Sequence, residues 1–122
     1  MFDITSDEAR LLLDIALMAT GRNRFKSAEA ILSALDEFRP RSEQLAVARM
    51  ILAISKADLQ GAVDFADRIG LIEHPDSPMI KAFKAMALLR LERTAEAMDV
   101  LEEVSAQADD PTAAQLAKDM MI

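Results

Sequence analysis

The chain has 122 residues, a net charge of −7 and no cysteine. The missing cysteine excludes disulfides and thiolate chemistry, and the acidic charge disfavours nucleic acid as a partner. Hydrophobic residues make up 52% of the chain, with only three Gly and four Pro, which excludes extended disorder and favours long helices with short connections. The start Met1-Phe2-Asp3-Ile4 lacks a signal-peptide pattern, and no apolar run approaches the roughly 20 residues that span a bilayer. We therefore expect a cytoplasmic protein without membrane insertion.

Helix start and stop signals predict seven helices and no strand. The helices are expected at about 6–20, 25–38, 42–57, 59–72, 78–91, 94–107 and 111–121. Thr5 and Glu8 form a capping-box pattern before the first helix. Later helices follow Ser42, Asp58, Ser77-Pro78 and Asp110-Pro111, where a capping side chain precedes the helix. Gly21 is expected to end the first helix, and Pro40 follows the second.

A repeat of 34 to 35 residues underlies these helices. Each copy places a small residue and two apolar core positions in the second helix of a predicted pair. A closing proline follows that helix. The copies are Phe25…Ala28…Leu32…Leu35…Pro40, Ala62…Ala66…Ile69…Pro75 and Ala97…Leu101…Val104…Pro111. This period is typical of tetratricopeptide (TPR) repeats. The fold prediction is therefore an all-α single domain over 1–122, with three TPR-like antiparallel helix pairs stacked as a short superhelix plus a C-terminal capping helix.

The odd and even helices differ in their apolar pattern. Helices 25–38 and 94–107 have one apolar face, whereas 9–18, 45–54 and 79–91 are nearly apolar all round. A helix that is apolar on two faces needs two packing surfaces, so we expect the second face to line a concave groove. The alternative is that these residues form the core between repeats. The predicted partner-binding groove residues are Leu13, Leu17, Val47, Ile51, Ile54, Met79, Met86 and Leu89.

No catalytic or metal-binding pattern is present in the sequence. The single histidine, His74, is expected to be an exposed loop residue, and one histidine cannot form a histidine-based metal site. No nucleophile or phosphate-binding motif occurs, and the basic cluster Arg22-Asn23-Arg24 and Lys26 is short and has no Tyr or Trp nearby. We therefore predict no enzyme, no cofactor, no metal and no nucleic-acid partner.

Two stretches resemble the YscG/PscG family of type III secretion needle chaperones. The first runs from Leu12 to Gly21, with the sequence Leu-Leu-Asp-Ile-Ala-Leu-Met-Ala-Thr-Gly, followed by Ala28-Glu29-Ala30-Ile31 and Leu35. The second is Asp110-Pro111 followed by Met120. Length and helix order agree over most of the chain. The chain departs from the family at Arg22-Asn23-Arg24, where members carry His and Cys, and it has no Trp.

This resemblance implies a bacterial, cytoplasmic, virulence-associated chaperone. Family members are TPR-like, pair with a small helical co-chaperone and hold the amphipathic C-terminal helix of the needle subunit, which prevents premature polymerisation. The first helix pair would then be a docking surface for the co-chaperone, and a homodimer could form when the client is absent. Two alternatives remain open: a TPR-like chaperone of translocator proteins, and a TPR-like scaffold that self-associates.

Overall fold

A computed structural model describes residues 5–38, 42–107 and 109–121, which are helical and contain no strand. The helices are α1 (Ser6–Gly21), α2 (Phe25–Phe38), α3 (Glu43–Ser55), α4 (Leu59–Phe65), α5 (Leu71–Glu73), α6 (Pro78–Arg90), α7 (Thr94–Ser105) and α8 (Pro111–Met120), and a π-helical segment, Ala66–Gly70, joins α4 to α5. The all-α prediction is confirmed, and apart from the fourth helix the predicted helix ends agree to within two residues.

The predicted capping residues begin the helices as expected. The Thr5 hydroxyl accepts a hydrogen bond from the Glu8 amide at 3.1 Å, and the Glu8 carboxylate accepts one from the Thr5 amide. Ser42, Asp58, Ser77 and Asp110 each accept from the amide three residues further on, at 3.0–3.3 Å. These bonds satisfy amides that a helix start leaves without an intrahelical partner. Pro40 lies outside the described residues.

Three turns repeat one backbone conformation. Asn23, Ala57 and Glu92 have φ of 61°, 63° and 63°, and they lie 34 and 35 residues apart. Each donates its amide to the carbonyl three residues earlier, at 3.0–3.1 Å. A left-handed residue after a helix lets the chain reverse within a few residues. Gly21 is the last residue of α1, as predicted, but Asn23 supplies the left-handed conformation.

The chain divides into two compact units, Met1–Ala57 and Asp58–Ile122. In the first unit each of α1, α2 and α3 packs against the other two. Their shared core, the first core, is small and aliphatic. It consists of Ala16, Ala19, Ala28, Leu32, Leu35, Leu45, Ala48 and Leu52. The prediction of a single domain over 1–122 stays a prediction.

In the second unit α6 packs against α4, α7 and α8, and α7 packs against α8. The second core consists of Ala82, Ala85, Leu101, Val104, Ala113 and Ala117. Two ion pairs join α6 to its neighbours: Lys81 Nζ lies 2.6 Å from Glu103 Oε1, and Lys84 Nζ lies 2.7 Å from Asp67 Oδ1. The small repeat residues Ala28, Ala62 and Ala97 are all fully buried, as close helix packing requires.

The fourth predicted helix needs one correction. A regular helix was expected over 59–72, but residues Ala66–Gly70 form a wider π-helical turn. Gly70 lies so close to α6 that a Cβ there would sit 3.2 Å from Ile80 Cγ2. The π-helical turn thus coincides with close packing against α6, a contact that periodicity along the chain does not encode.

His74 follows α5 and also differs from expectation. The sequence predicts an exposed loop residue, but His74 is half-buried. Its Nε2 is buried and has no hydrogen-bond partner among the described residues. The backbone of His74 is engaged on both sides: its amide donates to the Gly70 carbonyl at 2.9 Å, and its carbonyl accepts from the Ser77 amide at 3.1 Å.

Candidate functional site

The eight predicted groove residues are divided between the two units. Five lie on α1 and α3 of the first unit, and three lie on α6 of the second. Seven are half-buried and one, Ile54, is buried at 6% exposure. Each unit is therefore described by itself.

On α1, Leu13 and Leu17 pack against the first core as partly buried side chains. Leu13 also lines a cleft of about 500 Å³ in the first unit. The cleft lies where the first turns of α1 and α3 meet the end of α2. Its lining residues are Ser6, Asp7, Ala9, Arg10, Leu13, Leu35, Ser42, Gln44 and Leu45.

This cleft has a mixed chemical lining. Leu13, Leu35 and Leu45 give it an apolar floor, and Asp7 and Arg10 add one charge of each sign. The hydroxyl of Ser42 is engaged at the start of α3, where it accepts the Leu45 amide and donates to Gln44 Oε1 at 3.0 Å. The cleft therefore offers both apolar contacts and charges of both signs.

On α3, the predicted residues share one side of the helix. Val47, Ile51 and Ile54 are spaced i, i+4 and i+7, which places them in one row. The helix contributes Leu45, Ala48 and Leu52 to the first core, and none of the three predicted residues is among them. Val47 and Ile51 are half-buried and Ile54 is buried, and their role in binding a partner stays a prediction.

On α6, the structure divides the three predicted residues. Met79 and Leu89 pack against the second core as partly buried side chains. Met79 and Met86 are seven residues apart with Phe83 between them, and all three are half-buried. Phe83 therefore belongs to the same helical row and was missed, although its i+4 spacing from Met79 is visible in the sequence.

The most exposed apolar side chains of α1 were not among the predicted residues. Leu11 is 60% exposed, Ile15 42% and Met18 58%. Their i, i+4, i+7 spacing places them in one row, here called the α1 stripe. The buried residues of α1, Ala16, Ala19 and Thr20, lie away from this row. The signal was available in the sequence, but which of two apolar rows faces the core depends on how α2 and α3 pack.

Three further observations describe the chemistry that the molecule offers. No group of three or more His, Asp or Glu side chains within the described ranges could hold a metal ion. None of the helices built from those ranges is long and apolar enough to cross a membrane. Arg93 and Glu96 form a forked ion pair on the surface, with N–O distances of 3.0 and 2.7 Å.

No protein-family model and no curated protein matches this sequence.

Proposed function

We propose that this protein is a TPR-like chaperone that holds an amphipathic helix of a type III secretion needle subunit in the bacterial cytoplasm. The client helix would lie along the apolar rows of the odd-numbered predicted helices. A small helical co-chaperone would complete the complex. Holding the client in this way would prevent its polymerisation before export.

The repeated turns support the TPR-like part of this proposal. Left-handed residues recur at Asn23, Ala57 and Glu92 with the 34- to 35-residue period of these repeats. A fully buried alanine follows each turn residue at the same distance, at positions 28, 62 and 97. Within the first unit, α1 packs against both the next helix and the one after it, which is the packing pattern of stacked helical repeats.

The observation that carries the proposed function is the second apolar row on α3. Val47 and Ile51 are half-buried residues outside the first core, and Ile54, which continues their row, is buried. On α6 the row Met79–Phe83–Met86 provides similar side chains, and methionine adapts well to irregular partners. A groove lined by apolar side chains can receive the apolar face of an amphipathic helix.

The binding experiment uses a dye-labelled peptide that matches the C-terminal helix of the needle subunit encoded in the same genome. Fluorescence anisotropy is measured while the full-length protein is titrated in, with a scrambled peptide as the reference. The label is needed because the chain contains no Trp or Tyr. We expect saturable binding of the true peptide only. A soluble protein that binds neither peptide would overturn the proposed client.

The groove itself is tested by the double substitution Ile51→Asp with Met86→Asp. Placing two charges on the apolar rows should weaken peptide binding by about 100-fold or more, because apolar burial drives the contact. The matched control is Ala30→Asp with Ala34→Asp, which adds the same charge to exposed positions of α2. Far-UV circular dichroism checks that both variants remain helical.

Two outcomes would count against the groove. If the Ile51→Asp, Met86→Asp protein is folded and binds like the control, the placement of the groove is wrong. If it fails to fold, Ile51→Ala with Met86→Ala replaces it, and unchanged affinity in that variant would have the same meaning. An extended translocator segment that binds where the needle peptide does not would favour the alternative client.

A further inference from the structure

The α1 stripe is distinct from the predicted groove, because it lies on a different row of α1 from Leu13 and Leu17. Leu11, Ile15 and Met18 are between 42% and 60% exposed, whereas Leu13 and Leu17 pack on the first core. Apolar side chains lined up along about two turns of a helix favour contact with a second helix. The charges at the two ends of the stripe indicate which helix would fit.

Those charges have opposite sign. Asp7 and Glu8 lie in the first turn of α1, and Arg22 caps its last turn; all three are exposed. Arg22 follows Met18 by four residues, and Asp7 precedes Leu11 by four. Both charged residues therefore lie on the same face of α1 as the stripe, one at each end. The stripe therefore has an acidic beginning, an apolar middle and a basic end.

From this pattern we infer that the α1 stripe pairs with the same stripe of a second copy, with the two helices antiparallel. If the twofold axis lies near Ile15, Leu11 of one copy meets Met18 of the other. The same register brings Asp7 and Glu8 of each copy to Arg22 of its partner. A twofold contact uses one surface twice, so it must be self-complementary, and this stripe is.

The same register also sets a limit on the affinity. Asp14 lies at the edge of the stripe close to the expected axis and is exposed. In the dimer it would lie near Asp14 of the partner, and two like charges oppose the contact. The contact is also small, since it rests on three apolar side chains from each copy, below what stable interfaces bury. We therefore expect a weak and reversible dimer.

Sedimentation equilibrium of the full-length protein over a wide concentration range tests this inference. We expect a monomer–dimer equilibrium that Ile15→Asp abolishes. The matched control is Ile69→Asp, because Ile69 is a similarly exposed isoleucine (47%) in the second unit. A protein that is monomeric at every concentration, or one whose dimer is lost in Ile69→Asp and kept in Ile15→Asp, would overturn the inference.

The charge pattern is tested by reversal and rescue. Arg22→Glu should weaken the dimer by roughly 2- to 30-fold, since two exposed ion pairs become repulsive. Adding Asp7→Arg to Arg22→Glu should restore the dimer, because the swap rebuilds the pattern with opposite signs. Asp14→Asn should strengthen the dimer. If rescue fails and Asp14→Asn has no effect, the antiparallel register is wrong.

Cross-linking distinguishes the two helix directions directly. The chain contains no cysteine, so single substitutions give unambiguous products. Under oxidation, a mixture of Leu11→Cys and Met18→Cys proteins should form the mixed disulfide in preference to either homodimer. Preferential Leu11–Leu11 cross-linking would indicate parallel helices and overturn the arrangement. None of these readouts depends on a client peptide, so the dimer and the proposed chaperone function can fail independently.

Discussion

Replacing Ala57 by glycine should stabilise the protein, although alanine to glycine usually destabilises a helical one. Ala57 has φ 63°, a left-handed conformation that costs a residue with a Cβ about 1–2 kcal/mol. Glycine removes that cost but adds about 0.4–1 kcal/mol of chain entropy in the unfolded state. The balance predicts a gain of about 0.5–1 kcal/mol in the free energy of unfolding, or about 2–4 °C in Tm.

The matched control is the same substitution inside a helix. Ala30 lies exposed in the middle of α2, so Ala30→Gly should lose about 0.5–1 kcal/mol. Glu92→Gly should gain as much as Ala57→Gly, since Glu92 also has φ 63°. Asn23→Gly should change little, because asparagine adopts the left-handed conformation with less strain.

The measurement is urea unfolding followed by far-UV circular dichroism, which reports on the helices of a chain without Trp or Tyr. Ala57→Gly should raise the free energy of unfolding, and Ala30→Gly should lower it. If both variants lower the urea midpoint by similar amounts with unchanged slopes, Ala57 does not hold a strained turn, and the repeated turn geometry loses its physical basis.

Leu101→Ala should lower the free energy of unfolding by about 2–5 kcal/mol, because Leu101 is fully buried in the second core. Met98→Ala, at a half-buried position, should lower it less, and urea unfolding compares the two variants. Ser77→Ala should cost about 1 kcal/mol, since the buried Ser77 hydroxyl caps α6, and thermal unfolding measures it. The hydrogen bond from Arg93 lowers the pKa of Glu96 below its ordinary 4.5. The folded state therefore gains stability above that pH and loses it as pH falls further. Glu96→Gln should reduce the loss of stability at low pH. If the wild-type protein and Glu96→Gln lose stability equally on acidification, the Arg93–Glu96 hydrogen bond does not contribute to it.

The sequence predicted the elements of the fold well, because their signals are local. A capping hydroxyl or carboxylate acts on an amide three residues away, so Thr5, Ser42 and Asp110 could be identified without tertiary information. The π-helical turn at Ala66–Gly70 was not predictable in this way. It accompanies the close approach of Gly70 to Ile80, a contact between residues on different helices.

The candidate site was predictable only in part. Two-sided apolar helices indicated that a second apolar row exists, and on α3 the predicted Val47 and Ile51 do fall outside the first core. On α1 the sequence offered two apolar rows of similar quality. The structure packs Leu13 and Leu17 on the first core and leaves Leu11, Ile15 and Met18 exposed.

The sequence by itself therefore determined where helices begin and which helices are apolar on two sides. Hydrogen bonds between near neighbours and the 3.6-residue period encode all of these features. Tertiary structure alone decided which apolar row of a given helix is buried, and that His74 is half-buried. Burial depends on the surface that a neighbouring helix presents, and residues far away in the chain supply that surface.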